Sequence, residues 1–94
     1  MDSASRPRRR ERVLAQSSGE TLILLATDSG EYFTLDEVGG KIWDLADGTR
    51  TVEEIARTLA GEYDAPVATI QADALEILGE LADERLLDDG RASA

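Results

Sequence analysis

GEYFTLDEVGGKIWDLADGTRTVEEIARTL, residues 30–59, changes its hydrophobic period from two to about 3.6 within a few positions. In Glu31–Leu35 the side chains of Phe33 and Leu35 share one face and those of Tyr32 and Thr34 the other, which is the alternation of a short strand. Asp36 then stands where a helix N-cap is needed, with Glu37 in the first turn, where its charge suits the helix dipole. Val38, Ile42 and Leu45 form one apolar stripe, and Trp43 beside Ile42 reads as a core filler. Two glycines inside a helix cost about 1 kcal/mol each relative to alanine, so Gly39 and Gly40 point to close approach of another backbone. Gly48 suits the helix end as a C′ residue, and Thr51 with Glu54 makes a capping box for a second helix. Ile55, Ala56, Leu59, Ala60 and Tyr63 form that helix's buried face.

Upstream, Val13–Ala15 and Thr21–Ala26 (TLILLA) are two further strand candidates, with turn signals at Ser17-Ser18-Gly19 and Asp28-Ser29-Gly30. TLILLA is apolar on both faces, which marks the central strand of a small antiparallel meander, covered by helices on at least one side. Downstream, Pro66 suits the first turn of a third helix. That helix carries Val67, Ile70, Ala74, Ile77, Leu78 and Leu81 at three- and four-residue spacing, before Leu86 and Leu87. Its apolar surface is wider than one core contact requires. The expected fold is α+β: a three-stranded antiparallel meander followed by three α-helices, in the order βββααα.

A chain of 94 residues, 41% hydrophobic, makes one domain with a modest core. It contains neither cysteine nor histidine, so the usual zinc, copper, haem and iron–sulfur ligands are missing, and no catalytic Ser/His/Asp or Cys/His set can be assembled. Gly39-Gly40-Lys41 lacks the spacing of a phosphate-binding loop. The expectation is a protein that is not an enzyme and holds no cofactor or metal. No apolar stretch approaches the roughly 18 residues of a membrane span, and the basic N-terminus leads into no apolar signal segment. A cytoplasmic location, with no membrane partner, follows as the expectation.

The net charge of −10 is unevenly placed. Residues 1–12 carry five arginines against Asp2 and Glu11, a balance of +3, whereas residues 13–94 carry five bases against eighteen acids, a balance of −13. The arm, short and interrupted by Pro7, reads as a disordered basic tail over residues 1–12, ahead of a folded domain at 13–89 and a flexible tail at 90–94. An acidic body repels phosphate backbones, so no nucleic-acid partner is expected.

The order of these landmarks resembles the PqqD family and the wider class of peptide-recognition domains of ribosomal peptide biosynthesis, the RiPP recognition elements. The resemblance covers about residues 13 to 88. It rests on Phe33, Leu35 and Asp36 at the strand end, Gly39 or Gly40 with Ile42 and Trp43, then Gly48, Thr51, Val52, Glu54 and Ile55, and finally Asp73, Leu78 and Leu81. One departure is Arg85, where the family's final turn usually carries a glycine before the closing apolar pair.

The resemblance implies a small winged-helix-like domain, a non-catalytic binding module that captures the leader of a ribosomally made precursor peptide and presents it to a modifying enzyme of the same pathway, whether protease, cyclase or radical SAM enzyme. The leader would add as a strand to the third strand of the meander, in a groove against the third helix. An exposed strand edge offers the unpaired N–H and C=O groups this requires. The implied peptide-binding residues are Glu31, Tyr32, Phe33, Thr34 and Leu35 on the strand and Ile70, Asp73, Ala74, Ile77 and Leu81 on the helix. Tyr32 and Thr34 are expected to supply the strand side of the apolar slots. Asp73 suits either a leader contact or a solvated helical acid. The chain is expected to be a monomer, or a weak homodimer paired through the same edge. The alternative is a winged-helix transcription regulator binding DNA, but residues 66–87 contain only Arg85 against five acids.

Overall fold

The computed structural model describes residues 1–90, in which the elements run β1 (Arg8–Arg9), β2 (Val13–Ser18), β3 (Thr21–Ala26), β4 (Glu31–Leu35), α1 (Glu37–Leu45), α2 (Val52–Tyr63), α3 (Val67–Asp83) and β5 (Leu87–Asp88). β2, β3 and β4 make the antiparallel meander, with β3 in the centre. The first strand is longer than its apolar stretch, because Val13 to Ser18 pair one for one with Ala26 to Thr21. The two-residue turn joining them places Gly19 at φ +63, a left-handed geometry that a glycine adopts without strain. β4 pairs with β3 in the register Leu22–Leu35, Leu24–Phe33 and Ala26–Glu31 on one face, and Ile23–Thr34 and Leu25–Tyr32 on the other.

That register decides what the sheet buries. Leu24 and Ala26 face the helices and are buried, while Ile23 and Leu25, on the opposite face, are only half-buried. α1 follows β4 after one residue and lies across the sheet end. Asp36 caps it, its carboxylate accepting from the Gly39 N–H at 2.8 Å. The glycine pair is explained by proximity: a Cβ on Gly39 would lie 3.2 Å from Leu35 Cβ, and one on Gly40 3.4 Å from Leu22 Cβ. Ile42 and Trp43 are buried as expected, joined by Val52, Ile55, Ala56 and Leu59 of α2. The capping box of α2 is formed in both directions: the Glu54 N–H donates to the Thr51 hydroxyl, and the Thr51 N–H to the Glu54 carboxylate. α1 ends at Leu45 rather than running on toward Gly48, which lies in the following loop at φ +86 with the Arg8 side chain packed over it.

α3 packs along α2 and buries Ile70, Ala74, Leu78 and Leu81, a stripe at three- and four-residue steps. Beyond it the chain turns at Arg85, a non-glycine residue at φ +63, into Leu86 and Leu87, both buried.

The N-terminal arm is the main correction to the sequence reading. Residues 1–12 are docked on the body rather than a free tail. β1 pairs antiparallel with β5, Ser5 and Pro7 are buried, and the Ser3 and Ser5 carbonyls accept from the Glu53 and Val52 N–H groups at the start of α2. The Arg9 guanidinium donates to the Trp43 and Asp44 carbonyls at 2.8 and 2.6 Å, placing a cation at the C-terminal end of α1, which has no basic residue of its own in its last turn. The composition of the arm gave little apolar signal for this, because most of the contacts are made by backbone groups and arginine stems, with Met1 packed on the core and Pro7 buried beside them. Of the expected flexible tail at 90–94, residues 91–94 lie outside the described residues; Gly90 is in place, its carbonyl accepting from the Arg6 N–H.

Candidate functional site

β4 has β3 on one side only, so its other edge is open. In an antiparallel ladder alternate residues turn both N–H and C=O toward the same neighbour, so a five-residue edge presents about four to six backbone bonding groups outward. Opposite this edge stands α3. Two hollows run along α3, one between it and β4 and one between it and the start of α1. One, about 320 Å³, is lined by Phe33, Thr34 and Leu35 of the strand and by Leu81 with Glu80, Asp83 and Glu84 of the helix end. The next, about 310 Å³, is lined by Ile70, Asp73, Glu76 and Ile77 of the helix and by Asp36 and Val38 at the start of α1.

The trough has an apolar floor and acidic walls. Phe33, Leu35 and Ile77 are half-buried, packed on the core yet still partly open. Ile70 and Leu81 are nearly buried and contribute only their outer atoms; Ala74 is fully buried and belongs to the core beneath the trough. Asp73 is exposed on the rim, and Glu76, Glu80, Asp83 and Glu84 continue its line down the helix. These last residues, with Val38, were missing from the sequence reading of the site. The signal for them was the three- and four-residue spacing of acids, which puts them on one helical face.

The strand side of the slots differs from the expectation. Phe33 and Leu35 line it, with Thr34 at its rim, because the pleat turns Tyr32 to the outer face of the sheet. Tyr32 is 69% exposed and stands across from Leu25, which has the exposed Leu14 on its other side. Its backbone remains part of the open edge. All ten residues singled out in the sequence therefore lie on β4 or α3, around a single trough, but their side chains do not all reach it.

Among the described residues, no group of three or more His, Cys, Asp or Glu side chains could hold a metal ion, and no helix is long and apolar enough to cross a membrane.

Comparison with known proteins gives three concordant results. The family model for coenzyme PQQ synthesis protein D (PqqD) matches residues 21–87. A PqqA binding protein of Xanthomonas oryzae pv. oryzae (strain PXO99A) is 43% identical over 65 residues, covering 69% of this chain and 68% of the relative. Among solved structures, TbiB1 in complex with the TbiA(beta) leader peptide is similar with a TM-score of 0.77 at 30% identity, over 93% of this chain and 98% of that one. The PqqD truncation of Methylobacterium extorquens PqqCD, a stand-alone RiPP recognition element, is similar with a TM-score of 0.78 at 35% identity, over 94% and 95%.

Proposed function

The chain belongs to the PqqD family, and from that premise we propose that it captures the leader of a ribosomally made precursor peptide and hands it to a modifying enzyme. The leader adds antiparallel to the open edge of β4 and sets two apolar side chains into the trough against α3. The single observation that carries this reading is the coincidence of an unpaired edge with an apolar-floored trough along its length.

The energetics suit capture. Four backbone hydrogen bonds at about 1 kcal/mol net each and two anchors at about 1.5 to 3 kcal/mol each sum to roughly 7 to 10 kcal/mol, before the cost of ordering the leader is subtracted. The module has no chemistry of its own to add. It serves a partner by raising the leader's local concentration, and in the PqqCD protein such a module is part of a longer chain. The partner is a protease, cyclase or radical SAM enzyme, acting in the cytoplasm.

The DNA-binding alternative has no support in the geometry. α3 carries no lysine or arginine along its length, and its exposed side is acidic.

The test is calorimetric titration of the chain with leader peptides from short reading frames beside its gene. One leader is expected to bind saturably, and Ile77→Asp, which places a charge in the trough without touching the core stripe, is expected to abolish that binding while the circular dichroism spectrum is kept. Unchanged affinity in a folded Ile77→Asp protein would refute the trough as the binding site.

A further inference from the structure

The trough does not end at the end of β4. A third hollow, lined by Glu31, Asp83, Glu84 and Arg85 among others, shares Asp83 and Glu84 with the trough and shares Ala26, Asp28 and Arg85 with a cleft of about 350 Å³ at the foot of the sheet. In that cleft the sign of the charge reverses: its walls hold five arginines against three carboxylates, whereas the two trough hollows hold acids and no base. Two of the five are engaged, Arg9 on the α1 carbonyls and Arg10 on Asp88 at 2.8 Å. Arg8, Arg12 and Arg85 are exposed, and among the described residues their guanidinium groups make no hydrogen bond or ion pair.

Arg85 is held there against its backbone preference. Its φ of +63 is a conformation in which an L side chain is disfavoured and glycine is not. A long cation kept in a left-handed turn, facing both the end of the trough and the arginine cleft, marks a position where the side chain matters more than local ease of folding.

We propose that the arginine cleft is a second recognition site, which reads one or more carboxylates in the peptide segment immediately following the strand-adding residues. The inference rests on the leader-capture reading and deepens it. A peptide antiparallel to β4 passes Leu35 first and Glu31 last, so its C-terminal side leaves the trough at Asp83, Glu84 and Arg85 and enters the cleft. The ligand is thus bipolar: basic or neutral residues alongside the acidic wall of α3, then acidic ones against Arg8, Arg12 and Arg85. The charge reversal fixes polarity as well as register, because a peptide docked in the opposite direction would bring its acids to Asp73 and Glu76.

The test is selection from a library of random displayed peptides on the full chain at low salt, with the amide shifts of the winners mapped on labelled protein. Winners are expected to shift Glu31–Leu35 and to be enriched in Asp or Glu toward their C-terminal ends, with Lys or Arg ahead of them. A synthetic winner should lose about threefold in affinity to Arg85→Gly and about tenfold to the pair Arg12→Ser and Arg85→Gly, the scale of one and of several exposed ion pairs. Both losses should vanish when its acids are replaced by Asn and Gln, or at about 0.5 M salt, where exposed pairs are screened. Arg85→Gly relaxes the turn, so failure to fold does not confound the result. Winners that shift β4 without charge asymmetry, or that bind both variants as tightly as the parent, overturn the arginine cleft and leave leader capture standing. Failure to obtain any peptide that shifts β4 overturns both.

Discussion

Phe33 of β4 and Leu81 of α3 line one apolar hollow from opposite sides, so a single space is bounded by an open edge of the meander and by the helix that carries most of the surface acids of the site. The two walls have different duties. Leu81 is almost entirely buried and anchors α3 to the core, whereas Ile77, a turn earlier, is half-open. Leu81→Ala should therefore destabilise the fold by about 2 to 4 kcal/mol, measured by urea unfolding. Ile77→Ser should cost less stability but remove one leader anchor, weakening binding by roughly ten- to a hundredfold. Tyr32→Ala, on the outer face, should weaken it by no more than about fivefold, the scale of a cross-strand pair.

The docked arm yields a second expectation. Arg9 supplies the cation at the end of α1, and the Ser3 and Ser5 carbonyls satisfy donors at the start of α2. Arg9→Ala should lower stability by about 1 to 2 kcal/mol, and removal of residues 1–7 should lower the melting temperature further. A free arm would leave both measurements at the parent values.

Acid sensitivity is concentrated in the loop and cap between α1 and α2. The Thr49 hydroxyl and then its N–H, with Arg50 beside them, hold the Asp47 carboxyl at a pKa of about 2. The Thr51 N–H, followed by its hydroxyl, lowers that of Glu54. Both folded-state values lie below the unfolded ones of about 3.9 and 4.3. The stabilisation is therefore fully present above about pH 5 and is lost as pH falls through the folded values, down to about 2 for Asp47. Asp47→Asn should flatten the fall in melting temperature across that window and leave the slope above pH 5 unchanged.

Much of this was legible in the chain itself. The switch of period at Leu35-Asp36, the Asp36 cap and the Thr51–Glu54 box are local signals, and local signals survive folding. The Gly39-Gly40 pair likewise announced a close approach, although what approaches is the side chains of Leu35 and Leu22 rather than a backbone. Two features were not legible. The arm's docking depends on long-range backbone bonds, such as Arg6 N–H to the Gly90 carbonyl, that no periodicity encodes. The role of Tyr32 depended on which face of β4 the helices cover, and the pleat assigns that face to Phe33 and Leu35. Alternation showed that the two pairs point apart, but not that the trough and the core lie on the same side.

Strand addition is the central claim, and isotope-filtered NOE spectroscopy of the labelled chain with its bound leader addresses it directly. The prediction is a ladder of contacts between leader backbone protons and those of Glu31–Leu35 in antiparallel order, with leader side-chain contacts to Phe33, Ile77 and Leu81. A saturated complex whose contacts fall elsewhere, with the β4 edge amides still exchanging freely with solvent, would contradict it.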